Sequence, residues 1–314
     1  MATWMCCLFS VAFRLKAKLL SCIAMINVYE FLRYQPELYK QFNCKDLMFV
    51  YYYCPQTIRK VDVFTHYNIL SFVIEGRKLI HRPDNTYLLE EGHCYFFKTG
   101  AYNQELYLDE GWRSMNFYIP DSYLQQLVEN YPQIYDQKSE PESLFDQVNE
   151  LKINDLISQL AQRMLAYFTD GQAPTEAMLE QCFRELFLAI QAEPGNQSLV
   201  GYLGKLAKRT SPSLYMIMET NFMYNLSLHE FAQLAHQSLP TFKREFKRMF
   251  NIPPAQWLLQ KRLSHAGILL RTTEKSISDI VRESGFESGS HFSRVFKNQF
   301  GESPLQYRKQ LSFS

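Results

Sequence analysis

An internal repeat near the C-terminus constrains this chain more than any other feature. Eight residues of the first copy recur 50 positions later with the same or similar chemistry. The first copy holds Ser238, Phe242, Arg244, Phe246, Lys247, Phe250, Pro254 and Trp257, and the second holds Ser288, Phe292, Arg294, Phe296, Lys297, Phe300, Pro304 and Tyr307. A repeated sequence pattern of this kind predicts repeated supersecondary units. We therefore expect two structurally equivalent units in the C-terminal third.

Each copy has the sequence features of two short helices joined by a turn. Residues 227–230 and 276–279 match the S/T-x-x-D/E capping box that begins a helix. A turn is predicted at residues 236–237 in the first copy and at residues 285–286 in the second. This upstream part repeats at an offset of 49, so the second copy has one additional residue in its turn. The order predicts a helix-turn-helix unit, whose second helix can enter the major groove of DNA.

The phenylalanines of the second helix in each copy are four residues apart, so they lie on one face and pack inward. Residues beside them project outward, where Arg can bind guanine and Lys or Ser can bind phosphate. The predicted DNA-binding residues are Thr241, Lys243, Arg244 and Lys247 in the first copy and Ser288, Ser290, His291, Ser293, Arg294 and Lys297 in the second. These charges could instead only hydrate an exposed helix face, but two copies at a fixed spacing favour DNA binding.

A longer helix is predicted between the copies, over residues 254–270. Its apolar residues follow helical periodicity and are Leu259, Leu263, Ala266 and Leu270. About 17 residues at ~1.5 Å each span roughly 25 Å, which could hold two recognition helices near the ~34 Å repeat of the major groove.

A last helix is predicted after Gly301. Gly suits the end of the preceding helix, and Ser303 followed by Pro304 suits an N-cap and a first turn. Free amides at this helix start could bind a phosphate, so Ser303 is also a predicted DNA-binding residue.

The charge of the chain is unevenly distributed. Residues 213–314 hold 13 Lys and Arg against 8 Asp and Glu, a net charge of +5. The remaining residues hold 20 against 24, a net charge of −4. A basic domain favours a polyanionic partner.

Residues 277–309 resemble the second-motif signature of the AraC/XylS family of bacterial transcription regulators. The matching residues are Gly285, Phe286, Ser290 (one residue out of step), Phe292, Arg294, Phe296, Lys297, Gly301, Pro304, Tyr307 and Arg308. For residues 213–311 the resemblance implies seven helices, two helix-turn-helix motifs and binding to promoter DNA. The chain departs from the family pattern at His236 and Asn251, which replace Gly, at Val281, which replaces Ala, and at Pro240, where some members present a base-contacting side chain.

Residues 43–120 have the pattern of short strands, because they are rich in β-branched and aromatic residues and are interrupted by turn residues. The pattern predicts a small sandwich or barrel. Resemblance in architecture to the same family implies a cupin-like barrel. Two amphipathic helices follow, over residues 153–168 and 179–190, and they could pack on the barrel, on each other or on a second subunit.

The predicted fold class is therefore α+β with two domains: an N-terminal cupin-like β-barrel with packed helices, and a C-terminal all-α domain with two helix-turn-helix motifs. We expect residues 1–26 to be an extension that is disordered or precedes a true start at Met25. Residues 27–192 form the sensor and dimerisation domain, residues 193–212 a linker, and residues 213–314 the AraC-type DNA-binding domain. The sequence contains no run of about 20 apolar residues, so it predicts no membrane span.

The leading hypothesis is a cytoplasmic, sequence-specific regulator that activates transcription under the control of its N-terminal domain. The seven cysteines form no CxxC pair, which is typical of a reduced cytoplasmic protein. The expected partners are double-stranded promoter DNA, RNA polymerase, a second copy of the chain, and a small molecule or a protein as effector. We expect no cofactor and no bound metal, since Cys and His residues do not cluster.

Two alternatives concern the N-terminal domain. It could be a cupin-like enzyme, for which His66, His81 and His93 are the candidate histidines, but these suit turn or surface positions better. It could also bind a partner protein and thereby keep the DNA-binding domain from binding DNA. The tyrosines that suit an aromatic pocket or such an interface are Tyr51, Tyr52, Tyr53, Tyr67, Tyr87 and Tyr95.

Overall fold

The computed structural model describes residues 25–54, 59–82, 85–135, 147–169, 173–207 and 214–311. The chain divides into two compact units between residues 210 and 211. Residues 1–24 of the predicted extension and residues 208–212 of the predicted linker lie outside the described residues. Ile26, the last residue of the predicted extension, already belongs to a strand.

The described part of the first unit contains eleven strands. They are β1 (Ile26–Asn27), β2 (Gln41–Cys44), β3 (Leu47–Tyr53), β4 (Lys60–Thr65), β5 (Asn68–Glu75), β6 (Arg77–His81), β7 (Thr86–Glu90), β8 (Cys94–Phe97), β9 (Gly100–Leu106), β10 (Arg113–Ile119) and β11 (Val148–Leu151). Six form one sheet in the order β11, β8, β5, β10, β3, β2, and five form a second sheet in the order β1, β4, β9, β6, β7. The predicted barrel thus consists of two sheets.

Strand β10 lies inside the six-stranded sheet, between β3 and β5, and both of its faces are buried. Met115 and Phe117 face a core shared with the helices of this unit. Tyr118 faces a second core, to which both sheets contribute. Because side chains alternate along a strand, Ser114 and Asn116 lie on the same face as Tyr118. Because both faces are buried, the alternation of polar and apolar residues from Ser114 to Phe117 does not mark one face of the strand as exposed.

The first unit also contains five α-helices in its described residues. They are α1 (Val28–Arg33), α2 (Asp121–Asn130), α3 (Asp155–Thr169), α4 (Glu176–Ala192) and α5 (Gln197–Ala207). The predicted stripes of α3 and α4 pack against the six-stranded sheet, where the ring of Phe183 lies 5.3 Å from the rings of both Phe49 and Phe117. Two residues of the first stripe differ from this pattern, since Ile153 precedes α3 and Leu156 is 54% exposed.

Helix α5 lies within the segment predicted as a linker. Leu199, Leu203 and Leu206 recur at helical spacing and are buried in the same core as α3 and α4. The hydroxyl of Tyr202 donates a hydrogen bond of 2.8 Å to the side chain of Asn68 in β5. Residues 197–207 are therefore part of the first unit, and their Gly and Ser residues concealed an amphipathic helix.

The second unit contains seven helices in its described residues. They are α6 (Leu214–Asn221), α7 (Leu228–Leu234), α8 (Leu239–Phe250), α9 (Pro254–Thr272), α10 (Ile277–Glu283), α11 (Gly289–Phe300) and α12 (Pro304–Leu311). This is the number that the family resemblance implies. Across the described parts of both units, none of the helices is long and apolar enough to span a membrane.

Candidate nucleic-acid interface

The first helix-turn-helix unit consists of α7 and α8, joined by the four residues 235–238. The Ser227 hydroxyl accepts a hydrogen bond of 3.3 Å from the Glu230 amide, and the Glu230 carboxylate accepts one of 2.6 Å from the Ser227 amide. The predicted capping box therefore begins α7. His236 adopts the left-handed conformation in the turn, with φ of 52°. Its side chain is exposed, so a residue with a Cβ atom is accommodated where the family pattern has Gly.

The second unit consists of α10 and α11, joined by the five residues 284–288. Ser276 caps α10, because its hydroxyl accepts a hydrogen bond of 3.1 Å from the Asp279 amide. The same hydroxyl donates to the Asp279 carboxylate at 2.6 Å, and this hydrogen bond lowers the pKa of Asp279. Gly285 occupies the turn with φ of 77°. The additional residue predicted in the second copy therefore lies between its two helices.

The aromatic residues of the repeat form the same cluster in both copies. In α8 the rings of Phe246 and Phe250 are 4.4 Å apart, and Trp257 lies 5.9 Å from Phe246. In α11 the rings of Phe296 and Phe300 are also 4.4 Å apart, and Tyr307 lies 5.4 Å from Phe296. Burial of these rings fixes one face of each helix, which leaves the opposite face open to solvent.

The open face of α8 is basic. Lys243, Arg244 and Lys247 are exposed on it, whereas Thr241 is half-buried near the helix start. Arg248 lies one turn after Arg244 on the same face. It was not among the predicted DNA-binding residues, although its distance of four residues from Arg244 could have identified it. Its guanidinium pairs with Glu245 at 2.7 Å.

The open face of α11 carries Arg294 and Lys297 together with Ser290 and His291, all exposed. Ser293 is half-buried. Asn298, which corresponds to Arg248 at the same offset of 50, is exposed on this face and was also not predicted.

Two predicted DNA-binding serines have capping roles. Ser288 is the N-cap of α11, where its hydroxyl accepts a hydrogen bond of 3.3 Å from the His291 amide. The hydroxyl of Ser303 donates to the side-chain oxygen of Gln306 at 2.8 Å, and the Ser303 amide donates to the same oxygen at 3.2 Å. The Ser303 amide is therefore not free in this state, and an anion there would have to displace the Gln306 side chain.

Helix α9 connects the two helix-turn-helix units. Its 19 residues correspond to roughly 28 Å. Leu263, Ala266 and Leu270 are buried as predicted, and Leu259 is partly buried. Arg262 donates hydrogen bonds of 2.7 and 2.6 Å to the main-chain carbonyls of Phe222 and Tyr224. Burial lowers the pKa of this guanidinium to about 10.

The three histidines of the enzyme hypothesis have separate hydrogen-bonding partners. Nδ1 of His66 lies 3.2 Å from Asn27, Nε2 of His81 lies 2.9 Å from Glu105, and Nδ1 of His93 lies 3.2 Å from Glu150. No group of three or more His, Cys, Asp or Glu residues suited to a metal is present within the described ranges.

The predicted tyrosines divide between three environments. Tyr95 is buried in the core between the two sheets, and Tyr52, Tyr67 and Tyr87 pack against that core. Tyr51 packs on the helix side, against the core of α3 to α5. Tyr53 is exposed.

Each of the two units matches a family model, and similar proteins over much of the chain are transcriptional regulators. A family model described as the ExsA N-terminal regulatory domain matches residues 68–202, and a helix-turn-helix domain model matches residues 231–310. The virulence regulon transcriptional activator VirF of Yersinia enterocolitica is 26% identical over 239 residues, which cover 76% of this chain and 88% of VirF.

Two further relatives are also transcriptional regulators. The HTH-type transcriptional regulator ExsA of Pseudomonas aeruginosa is 24% identical over 265 residues, which cover 80% of this chain and 94% of ExsA. The HTH-type transcriptional activator RhaS of Escherichia coli is 28% identical over 153 residues, which cover 49% of this chain and 53% of RhaS. With its paired helix-turn-helix units, the chain belongs to the AraC/XylS family of DNA-binding transcriptional regulators.

Proposed function

We propose that this protein activates transcription by binding promoter DNA through the open faces of α8 and α11. The observation that carries the proposal is that an exposed arginine and an exposed lysine recur 50 residues apart, as Arg244 and Lys247 on α8 and as Arg294 and Lys297 on α11. Within the described residues Lys243, Lys247, Arg294 and Lys297 form no salt bridge with an acidic side chain. Exposed cations that are free of carboxylates are available to neutralise phosphates. Activation is supported by VirF and RhaS, which are named as transcriptional activators.

The predicted contacts differ between the two helices. On α11, Arg294 would bind guanine, and Lys297, Ser290, Ser293 and His291 would bind nearby phosphates or base edges. Ser288 would bind phosphate at the start of α11 in addition to its capping role, and Ser303 would do so at the start of α12 after displacement of the Gln306 side chain.

On α8, Arg244 would contact bases, and Lys243, Lys247 and Thr241 would hold the helix on the phosphate backbone. Pro240 presents no hydrogen-bond donor at the start of this helix. Base contacts by the first unit therefore depend on residues one turn further along.

The N-terminal domain would receive the signal that controls DNA binding. Support comes from the match of residues 68–202 to a model described as a regulatory domain. We further propose a cytoplasmic homodimer that recruits RNA polymerase. The apolar stripes of α3 and α4 are buried within the domain, so a dimer contact on these helices would use their outward faces.

The test begins with genome-wide mapping of the DNA that the protein occupies. A recovered site is then used in gel-shift and promoter-reporter assays with the double variant Arg244→Ala/Arg294→Ala. We expect loss of the specific complex and of promoter activity. Arg271→Ala, which removes an exposed arginine outside α8 and α11, serves as the matched control. Equal binding by the double variant and the wild-type protein would overturn the proposal.

A further inference from the structure

Glu245 forms ion pairs with two arginines on the open face of α8. Oε2 of Glu245 accepts hydrogen bonds of 2.7 Å from Nη2 and 3.2 Å from Nε of Arg248. Oε1 lies 3.6 Å from Nε of Arg244. Arg244 and Arg248 are one turn apart, and each is two residues from the buried Phe246, so both project from the side opposite the buried rings. Glu245 therefore joins the two arginines near the centre of the open face.

This cluster is too exposed to contribute much to the stability of the fold. Arg244 and Arg248 are 71% and 74% exposed, and exposed ion pairs add little because water screens them and the side chains lose freedom. A carboxylate on a surface that binds a polyanion also repels phosphates. An effect of Glu245 on the two arginines therefore explains its position better than stability does.

The hydrogen bonds from Arg248 to Glu245 use one edge of the guanidinium. An arginine has five N–H donors, and this pair takes that of Nε and one of Nη2. The pair does not use the two N–H groups of Nη1 or the second one of Nη2. Two parallel N–H groups on adjacent nitrogens match O6 and N7 of guanine. The guanidinium is thus held in one orientation with a base-binding edge available.

Holding Arg248 in this way has two consequences for recognition. A long, mobile side chain loses conformational entropy when it binds, and part of this loss is already incurred in the free protein when Glu245 orders it. An unpaired arginine can also turn to the phosphate backbone, where contacts carry no sequence information. Compensation of its charge by Glu245 weakens that alternative, so base contacts are favoured over phosphate contacts.

The second helix-turn-helix unit lacks this arrangement. At the offset of 50 residues, Val295 stands in place of Glu245 and Asn298 in place of Arg248. Val295 packs against the core of the C-terminal unit. An effect of Glu245 should therefore be confined to the base pairs that face α8.

We propose that Glu245 is a positioning residue for DNA recognition. Its carboxylate fixes the guanidinium of Arg248, and more weakly that of Arg244, for contact with guanine, and it keeps Arg248 from the phosphates. Glu245 itself touches no base in this role. The inference rests on the proposed function of α8 as a recognition helix, and it assigns to that helix a second base-contacting arginine.

The experiment compares the full-length wild-type protein with Glu245→Gln, Arg248→Ala and the combined variant, in gel shifts on a mapped site, on its single-base variants and on unrelated duplexes. We expect Arg248→Ala to lower the preference at one base pair by at least about fivefold, and Glu245→Gln to lower it there by at least about threefold. The combined variant should resemble Arg248→Ala at that base pair, because Glu245 acts through Arg248. Preferences that Arg294→Ala alters should be unchanged in Glu245→Gln.

The salt dependence separates positioning from a merely structural role. In Glu245→Gln the released Arg248 can bind phosphate, so the slope of log K against log salt concentration on unrelated duplexes should become steeper by about one unit. Glu274→Gln removes an exposed carboxylate between α9 and α10 and is the matched control, which should leave preference and slope unchanged. Urea unfolding should show that Glu245→Gln is about as stable as the wild-type protein.

Unchanged base preference in either Arg248→Ala or Glu245→Gln would overturn the proposal. An equal gain of affinity by Glu245→Gln on every duplex would also overturn it, because Glu245 would then act only through its charge. A wild-type protein without any sequence preference would refute the proposed function as well. A selective wild-type protein that tolerates both substitutions would refute the positioning role alone, so the two failures are distinguishable.

Discussion

Gly285 lies directly against Arg262, since a Cβ atom at residue 285 would come within 2.9 Å of Nε of Arg262. The same Cβ atom would lie 2.9 Å from the main-chain oxygen of Met223. Arg262 in turn holds the carbonyls of Phe222 and Tyr224. The turn of the second helix-turn-helix unit, the connecting helix α9 and the loop before α7 are therefore packed together at one point.

The first prediction concerns this contact. Gly285→Ala should lower the free energy of unfolding by about 1–3 kcal/mol, because the methyl group displaces the Arg262 guanidinium and the left-handed backbone disfavours alanine. Gly301→Ala is the matched control, since Gly301 also has a positive φ, of 82°, but a Cβ atom there would meet nothing within 4 Å. Urea unfolding measures both. Equal losses would show that the contact with Arg262 adds nothing to the backbone penalty.

The second prediction concerns base recognition by α11. Arg294→Ala should weaken binding to a specific site by about 1–3 kcal/mol and relax the preference at one base pair. Gel shifts on the site and on its single-base variants measure this, with Arg271→Ala as the control. An equal loss on every sequence would indicate that Arg294 binds only phosphate.

The third prediction concerns the phosphate contact proposed for Lys247. Lys247→Ala should reduce the slope of log K against log salt concentration by about one unit, because one fewer cation displaces counter-ions from the DNA. Affinity should fall by a similar factor on specific and non-specific duplexes. A slope that matches the wild-type value would contradict the proposed contact.

The fourth prediction concerns pH and the ion cluster around Glu105. Burial alone would raise the pKa of this carboxyl group, but hydrogen bonds from Lys60, His81 and Arg59 lower it to about 2. The folded-state pKa is below the unfolded value, so the stabilisation is complete above about pH 4.5 and is lost as the pH falls towards about 2. Lys60 and Arg59 are largely exposed, so solvent limits the effect to about 1 kcal/mol.

Glu105→Gln should accordingly be less stable than the wild-type protein at about pH 7, and the difference should shrink at about pH 3. Urea unfolding at the two pH values measures it. A difference that does not vary with pH would show that the carboxylate charge is not the source of the stabilisation.

The fifth prediction concerns self-association. If residues 150–192 form the dimer contact, Leu156→Glu should weaken it, because Leu156 is 54% exposed on the outward face of α3. Leu88→Glu, at an exposed position in β7, should have no effect. Sedimentation of the full-length variants measures the change. Unaltered association of Leu156→Glu would exclude this part of α3 from the contact.

Much of the C-terminal unit could be predicted because its determinants are local. The spacing of Phe292, Phe296 and Phe300 fixes which face of α11 is buried, and the capping residues Ser227 and Ser276 mark where α7 and α10 begin. The engagement of Ser303 by Gln306 was missed, although residues 303–306 match the Ser-x-x-Gln form of the capping box.

The N-terminal unit was harder to predict because strand pairing joins residues that are distant in sequence. The alternation in β10 could not show whether its two faces meet one core or two, and the division into two sheets depends on pairings such as that of β11 with β8. Helix α5 was missed because its two glycines and one serine are typical of a linker, whereas Leu199 and Leu203 are buried only in the context of α3 and α4.

The five-residue connection in the second unit, against four in the first, has a consequence for the DNA that the protein occupies. The two recognition helices leave their turns differently and carry different side chains, so one cannot take the place of the other. A duplex bound through both helices is therefore read with a polarity. If the orientation of such a site is inverted, each recognition helix faces the bases that the other helix contacts in the original orientation. A single chain would therefore distinguish the two orientations of the site relative to the promoter.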